Sequence, residues 1–208
     1  MHLFSLAFCI IRHPFDTFRA LQASRDRFSW WPSLFLLGLI LLVRLTYLFF
    51  LHFPMASTAA EDINIGMEIF TFVIPLTTWA VSIFAMTSIM DGQTRFSEAF
   101  TAAMYCMVPY ILLALPLMGI SHIISQNDSA IFDIFMVAIE IWVVFLFVVS
   151  VKTMNEYSLK KTLLVIILAL LFMALICAVG LLIFSLSSQL YQFIVGLYKE
   201  ARYVLFGT

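Results

Sequence analysis

Apolar residues fall in five runs of about 20 residues, the length needed to cross a bilayer as a helix. The runs cover residues 30–53, 67–90, 99–123, 131–151 and 162–185. None alternates with period two, so each predicts a membrane helix rather than a barrel strand. Lipid offers the backbone no hydrogen bonds, and a helix satisfies its own. Two flanking segments read differently. Pro14 suits the first position of a helix and Asp16 its first turn. Phe15, Phe18 and Leu21 then repeat at helical spacing opposite Arg19 and Gln22, which predicts a short amphipathic helix on the membrane surface within segment 1–29. Residues 1–13 lack the basic start and small-residue cleavage site of a signal peptide, so they are expected to stay in the mature chain. In residues 190–206, Leu190, Phe193, Ile194, Leu197, Ala201, Val204 and Leu205 share one face, while Lys199, Glu200 and Arg202 interrupt the run. That pattern predicts a second interfacial helix, set apart from the fifth span by the polar residues 185–189. The expected fold is therefore all-α: a polytopic bundle of five transmembrane helices over 30–185, with interfacial helices at both ends. The whole of 1–208 forms one membrane domain.

Composition excludes the soluble alternatives. Of 208 residues, 63% are hydrophobic and 11% charged, and mean hydropathy is +1.07. A soluble domain of this size needs a polar skin that this chain does not have. Net charge is −1, and no basic cluster suggests a nucleic-acid partner. The distribution of Lys and Arg sets an orientation. Segment 1–29 carries Arg12, Arg19, Arg25 and Arg27, loop 91–98 carries Arg95, and loop 152–161 carries Lys152, Lys160 and Lys161. Loops 54–66 and 124–130 carry none. The positive-inside rule then predicts a cytoplasmic N-terminus and an external C-terminus in a cell (inner) membrane.

Familiar catalytic signatures are missing: no phosphate-binding G-x-x-x-x-G-K-[ST], no H-E-x-x-H and no G-x-S-x-G. Cys9, Cys106 and Cys177 each sit inside an apolar run and read as small buried hydrophobes. His52 and His122 fall near Glu61, Asp62 and Asp128, but interfacial histidines in water contact explain them better than a metal site. No metal or cofactor is expected. Pro75, Pro109 and Pro116 interrupt spans and predict bends. Small residues line the third span at Ala99, Ala102, Ala103 and Cys106, and the second at Thr78, Ser82 and Ala85, which favours close helix packing.

Three ionisable residues lie deep within spans. Arg44 is roughly 21 Å from the start of the first span, and Glu140 and Asp133 roughly 16 and 27 Å from the end of the fourth. Asp133 and Glu140 are seven apart and share a helix face. Lone charges are costly in hydrocarbon and pair or face a polar cavity. The expectation is that spans one and four are neighbours, with Arg44 paired to Glu140, or to Asp133 as alternate. Such a pair is either a static clamp or a polar site for an ion, a proton or a partner's polar group.

Several elements together resemble the Yip family, the Ypt/Rab-interacting membrane proteins. They are His13-Pro14-Phe15-x-x-Phe18-Arg19 before the first span, and Asp91-Gly92-Gln93-Thr94-Arg95-Phe96-Ser97-Glu98-Ala99-Phe100 with Tyr105 and Pro109 beyond it. Ile141-Trp142 in the fourth span and Tyr157-Ser158-Leu159-Lys160-Lys161 leading into the fifth complete the set. The resemblance covers most of residues 13–175. The chain lacks an Asp-Leu-Tyr-Gly-Pro motif, and Ser150-Val151-Lys152 replaces a glycine-containing turn, so it is similar to the compact prokaryotic type and a Rab-type partner is not implied. Pro14, Tyr105, Pro109 and Trp142 are the motif residues it singles out. It implies a non-enzymatic protein that binds other proteins or shapes membranes. The expected function is an accessory or scaffold subunit acting through helix–helix contact. It would sit in the lipid bilayer with a membrane-protein partner such as a transporter complex, or a second copy of itself. The alternative is a small transporter or channel using Arg44, Glu140 and Asp133.

Overall fold

The computed structural model describes residues 9–23, 30–50, 64–121 and 129–206. They form α1 (Pro14–Ala23), α2 (Trp30–Phe50), α3 (Ile65–Ile89), α4 (Phe96–Cys106), α5 (Val108–Ser121), α6 (Ser129–Met154) and α7 (Leu159–Phe206). Residues 9–12 are also helical. The described residues contain no strand. Five stretches are long and apolar enough to cross a membrane, and α4 and α5 together make the third. The chain is thus a multi-pass membrane protein. It divides into two compact units, residues 1–170 and 171–208. His52, His122 and the acidic residues near them lie outside the described residues.

The third span is the hub of the first unit. α4 packs against α1, α2, α3 and α6, and α5 packs against α2 and α6. Its small residues make this possible: Ala99, Ala102, Ala103 and Cys106 are all buried, with Ser82 buried on the facing α3. Small side chains let backbones approach where lipid gives helices no hydrophobic drive to associate. Ser33 and Thr101 add a hydroxyl–hydroxyl hydrogen bond of 2.7 Å between α2 and α4.

Of the three prolines, one breaks its helix. Pro109 has no N–H to offer the carbonyl of Tyr105, and its ring disfavours helical geometry in the residue before it. The span divides at Met107, whose N–H turns back to the Met104 carbonyl at 3.2 Å. Pro75 and Pro116 lie inside continuous helices. Just after Pro75, the Thr77 and Thr78 hydroxyls donate to the Val73 and Ile74 carbonyls at 2.8 and 2.7 Å.

One expectation about the flanking helices changes. α1 starts at Pro14 as its sequence predicts, and its apolar side is divided, with Phe15 exposed and Phe18 turned to protein. Phe18 is completely buried, and α1 packs on α6 and α4. The Lys152 ammonium stands 5.8 Å from the Phe15 ring centre. A protein groove offers Phe18 shape-matched contacts on every side, which an interface of mobile lipids does not. At the other end, the separation at residues 185–189 is absent. The fifth span and the expected interfacial helix are one helix of 48 residues, roughly 72 Å long. Serine and glutamine are acceptable helix residues, and no proline interrupts them. Polarity alone does not stop a helix.

Candidate functional site

The motif elements on either side of the second and fourth spans converge. α3 ends at Met90–Asp91 and α6 at Asn155–Glu156, and both use the same device. Asp91 and Glu156 take left-handed conformations, φ 55° and 53°. The next N–H in each case reaches back five residues: Gly92 to the Thr87 carbonyl at 2.7 Å, and Tyr157 to the Lys152 carbonyl at 3.1 Å. These are Schellman closures in which a charged residue stands where glycine is usual.

The two closures then lock together. The Asn155 amide oxygen accepts from the Thr94 hydroxyl at 2.7 Å and the Thr94 N–H at 3.3 Å, while its amide nitrogen donates to the Val151 carbonyl at 3.1 Å. The Tyr157 hydroxyl donates to the Met90 carbonyl at 2.9 Å and lies 3.4 Å from the Thr87 carbonyl. A side chain on one loop thus satisfies helix-end carbonyls of the other. Gly92 lies between: a Cβ there would sit 2.6 Å from Asn155 Oδ1, 2.6 Å from the Tyr157 oxygen and 2.8 Å from Thr87 Cβ. The Lys161 ammonium caps the Tyr157 ring at 4.4 Å. Next along the chain, Glu98 accepts from the Arg95 N–H at 2.8 Å and starts α4. Asn155 lies just before the motif residues Tyr157–Lys161 and carries no sequence signal of its own. Its role appears only when loops 61 residues apart meet.

Burial, then the Asp91 carboxylate, raise the Tyr157 phenol above its ordinary value. The neutral hydroxyl is the form that donates to Met90, so the folded state resists its ionisation. This contribution is complete below the unfolded tyrosine value of about 10 and is lost as pH rises above it. Tyr157→Phe should lower thermal stability by about 1–2 kcal/mol at neutral pH. It should also remove part of the alkaline loss of stability. An unchanged melting profile from neutral to alkaline pH would count against the lock.

The second polar assembly lies within the membrane span. Arg44 does not pair with Glu140. Its Nη2 is 3.5 Å from Glu68 Oε2 on α3, with both side chains under one-third exposed, at 29% and 32%. The Tyr47 and Phe72 rings flank the guanidinium, each 5.9 Å from its carbon. Glu68 is in the first turn of α3, where the helix dipole favours a carboxylate. From sequence it reads as a residue at the edge of a span, which hides its reach toward α2.

Spans one and four do touch, through Tyr47 stacked on Phe132 at 6.5 Å. Asp133 and Glu140 are exposed. Both act electrostatically on Tyr47, and Glu140 also acts on Tyr110. Neither has an ion-pair partner within 4 Å among the described residues. Tyr110 is buried, 6% exposed, beside Arg44. Among the described residues its hydroxyl and Arg44 Nε find no hydrogen-bond partner of strict geometry, although the two side chains lie in hydrogen-bonding reach of each other. Among the described residues no cluster of His, Cys, Asp or Glu is arranged to hold a metal.

The remaining motif residues have structural places. Pro14 opens α1. Tyr105 and Pro109 are buried beside the break in the third span. Trp142 is partly exposed, packs 5.4 Å from Phe145, and lines an apolar groove with Leu113, Pro116, Leu117 and Phe135.

A family model described as the Yip1 domain matches residues 8–196. No curated protein and no solved structure matches the chain.

Proposed function

The chain belongs to the Yip1-domain family, and from that premise we propose that it is a non-enzymatic accessory or scaffold protein working through helix–helix contact within a membrane assembly. The observation that supports this reading is the second unit. From residue 171 onward α7 exposes large side chains on all sides, among them Leu175, Val179, Leu182, Phe184, Leu190 and Phe193. A helix of 48 residues is more than twice the roughly 20 that a bilayer core requires. Apolar surface beyond the hydrocarbon needs a cover, which a partner helix provides. Cysteine pairs placed along residues 181–197 should cross-link in native membranes to a single species, either a second copy or one other protein at fixed stoichiometry. Cross-links spread over many unrelated proteins would refute the reading.

The eight Lys and Arg residues of segment 1–29 and loops 91–98 and 152–161 support a cytoplasmic placement of the loop lock and an external C-terminus. A reporter fused after Thr208 should be active only outside the cytoplasm. Activity only inside would reverse the orientation.

Arg44, Glu68, Tyr110 and Glu140 favour a second reading, a small transporter or channel. Purified protein in liposomes would then carry a solute or ion flux that Arg44→Gln abolishes. The absence of flux across a panel of ions and small solutes would leave the scaffold reading alone.

A further inference from the structure

One flank of α6 changes character along its length. Val151 is buried in a cluster with Ile83 of α3 and Val165 and Ala169 of α7. Phe147 meets Trp79 edge-on at 5.2 Å. The same flank continues through Val144, Glu140, Val137 and Asp133 at helical spacing, and there it is uncovered. Val144 and Val137 are more than half exposed, and both carboxylates are exposed. Glu140 lies roughly 16 Å and Asp133 roughly 6 Å from the described start of α6. Glu140 is therefore near the middle of a span that runs from Ala130 to Met154. Neither carboxylate has an ion-pair partner among the described residues. Charges at such depth pair or face a polar cavity, and here the residues beside them on the flank are valines.

We propose that this flank docks a transmembrane helix of another protein, one that carries Lys or Arg at two positions a heptad apart. Asp133 and Glu140 are roughly 10 Å apart along the helix, too far to share one cation and well placed for one each. Each pair attracts strongly where water is excluded, and a helix without the cations is disfavoured by the same carboxylates. Val137 and Val144 supply the apolar contact between and beside the pairs, so the docked helix continues packing that α3 and α7 begin at the other end of the flank. A second copy of this chain does not fit. Arg44 is the only Lys or Arg in the five apolar runs, and Glu68 already holds it. Another copy would bring no free cation to this depth. The inference rests on the helix-contact reading above and names the chemistry of its partner.

The purified full chain, donor-labelled and reconstituted in phosphatidylcholine vesicles, tests this with acceptor-labelled leucine-rich peptides long enough to span. One peptide carries a central lysine and another seven residues toward one end; its controls carry leucine at both positions. Each peptide is first shown to insert as a helix. Energy transfer should saturate with the lysine peptide at about one-tenth of the peptide-to-lipid ratio that the leucine peptide needs. Glu140→Gln with Asp133→Asn should remove that preference and leave the leucine peptide unchanged. Val137→Trp sets a bulky ring between the carboxylates without altering either. It should weaken the lysine peptide, and it serves if the double variant does not fold. Equal transfer to the two peptides, or a lysine preference that survives in the folded double variant, would overturn the proposal. So would transfer between two labelled copies, without peptide, that Glu140→Gln abolishes, since the flank would then belong to a second copy. Failure here with intact cross-links along residues 181–197 would remove this inference alone, whereas scattered cross-links would remove the scaffold reading.

Discussion

Arg44→Ala alone should damage the protein more than Arg44→Ala combined with Glu68→Ala. Removing the guanidinium leaves Glu68 as a carboxylate within the span and without its cation. On insertion scales a lone charge in the hydrocarbon costs about 2.5–3.5 kcal/mol, and removing one partner of a buried pair is the costly step. The pair is only partly covered, with 29% and 32% of the two side chains exposed, so the lower end of that range applies. Removing both partners deletes the charge and its need together. A double-mutant cycle on Arg44 and Glu68 should therefore show coupling of about 1–2 kcal/mol, read as recovered folded yield and melting temperature. The same cycle on Arg44 and Glu140 should be close to additive, because no ion pair joins them. Coupling to Glu140 and none to Glu68 would mean that the resting arrangement is the one expected from the sequence.

Gly92→Ala should be the most damaging glycine-to-alanine change among the described residues. The added carbon would lie 2.6–2.8 Å from three atoms, and one of them, Thr87 Cβ, cannot swing away. The other two belong to Asn155 and Tyr157, whose hydrogen bonds hold the second and fourth spans together at this end. Relieving the clash means giving up those bonds. Overpacking costs about 1–3 kcal/mol, and each buried polar group left unmet adds about 1–3 kcal/mol. The total is large against the 5–15 kcal/mol typical of a folded domain. Little monodisperse protein should survive extraction and size-exclusion chromatography. Gly38→Ala is the control, since nothing lies within 4 Å of its added carbon. Similar yields for the two would show that the loops do not meet as closely as Gly92, Asn155 and Tyr157 indicate.

Much of the architecture was legible because the bilayer imposes it. Hydrocarbon thickness and backbone satisfaction act on each segment separately, so run length and composition were enough to place the described ends of the first four spans, and the start of the fifth, to within a few residues. The small residues of span three, all buried, likewise marked the side its neighbours approach, whereas in span two only Ser82 of the three is buried. Pro14 opened its helix because its effect is local. The order and spacing of the motifs also mark the family without the fold.

What the sequence could not determine depended on which residues meet across spans. Depth and helical face pointed to Glu140, or Asp133 as alternate, as the partner of Arg44. The packing of α2 against α3 and α5 decided for Glu68, at a position whose sequence says only that a helix begins. Phe18 was apolar in either reading, and only the groove between α4 and α6 decided that it meets protein. Asn155 became a keystone because two left-handed helix closures, at Asp91 and Glu156, brought Thr94 to it. The run at 185–189 was polar enough to suggest an interruption, yet polarity costs a helix little unless something else competes for its backbone. Local chemistry determines where a membrane helix can form; which of its side chains find partners is decided by neighbours far away in the chain.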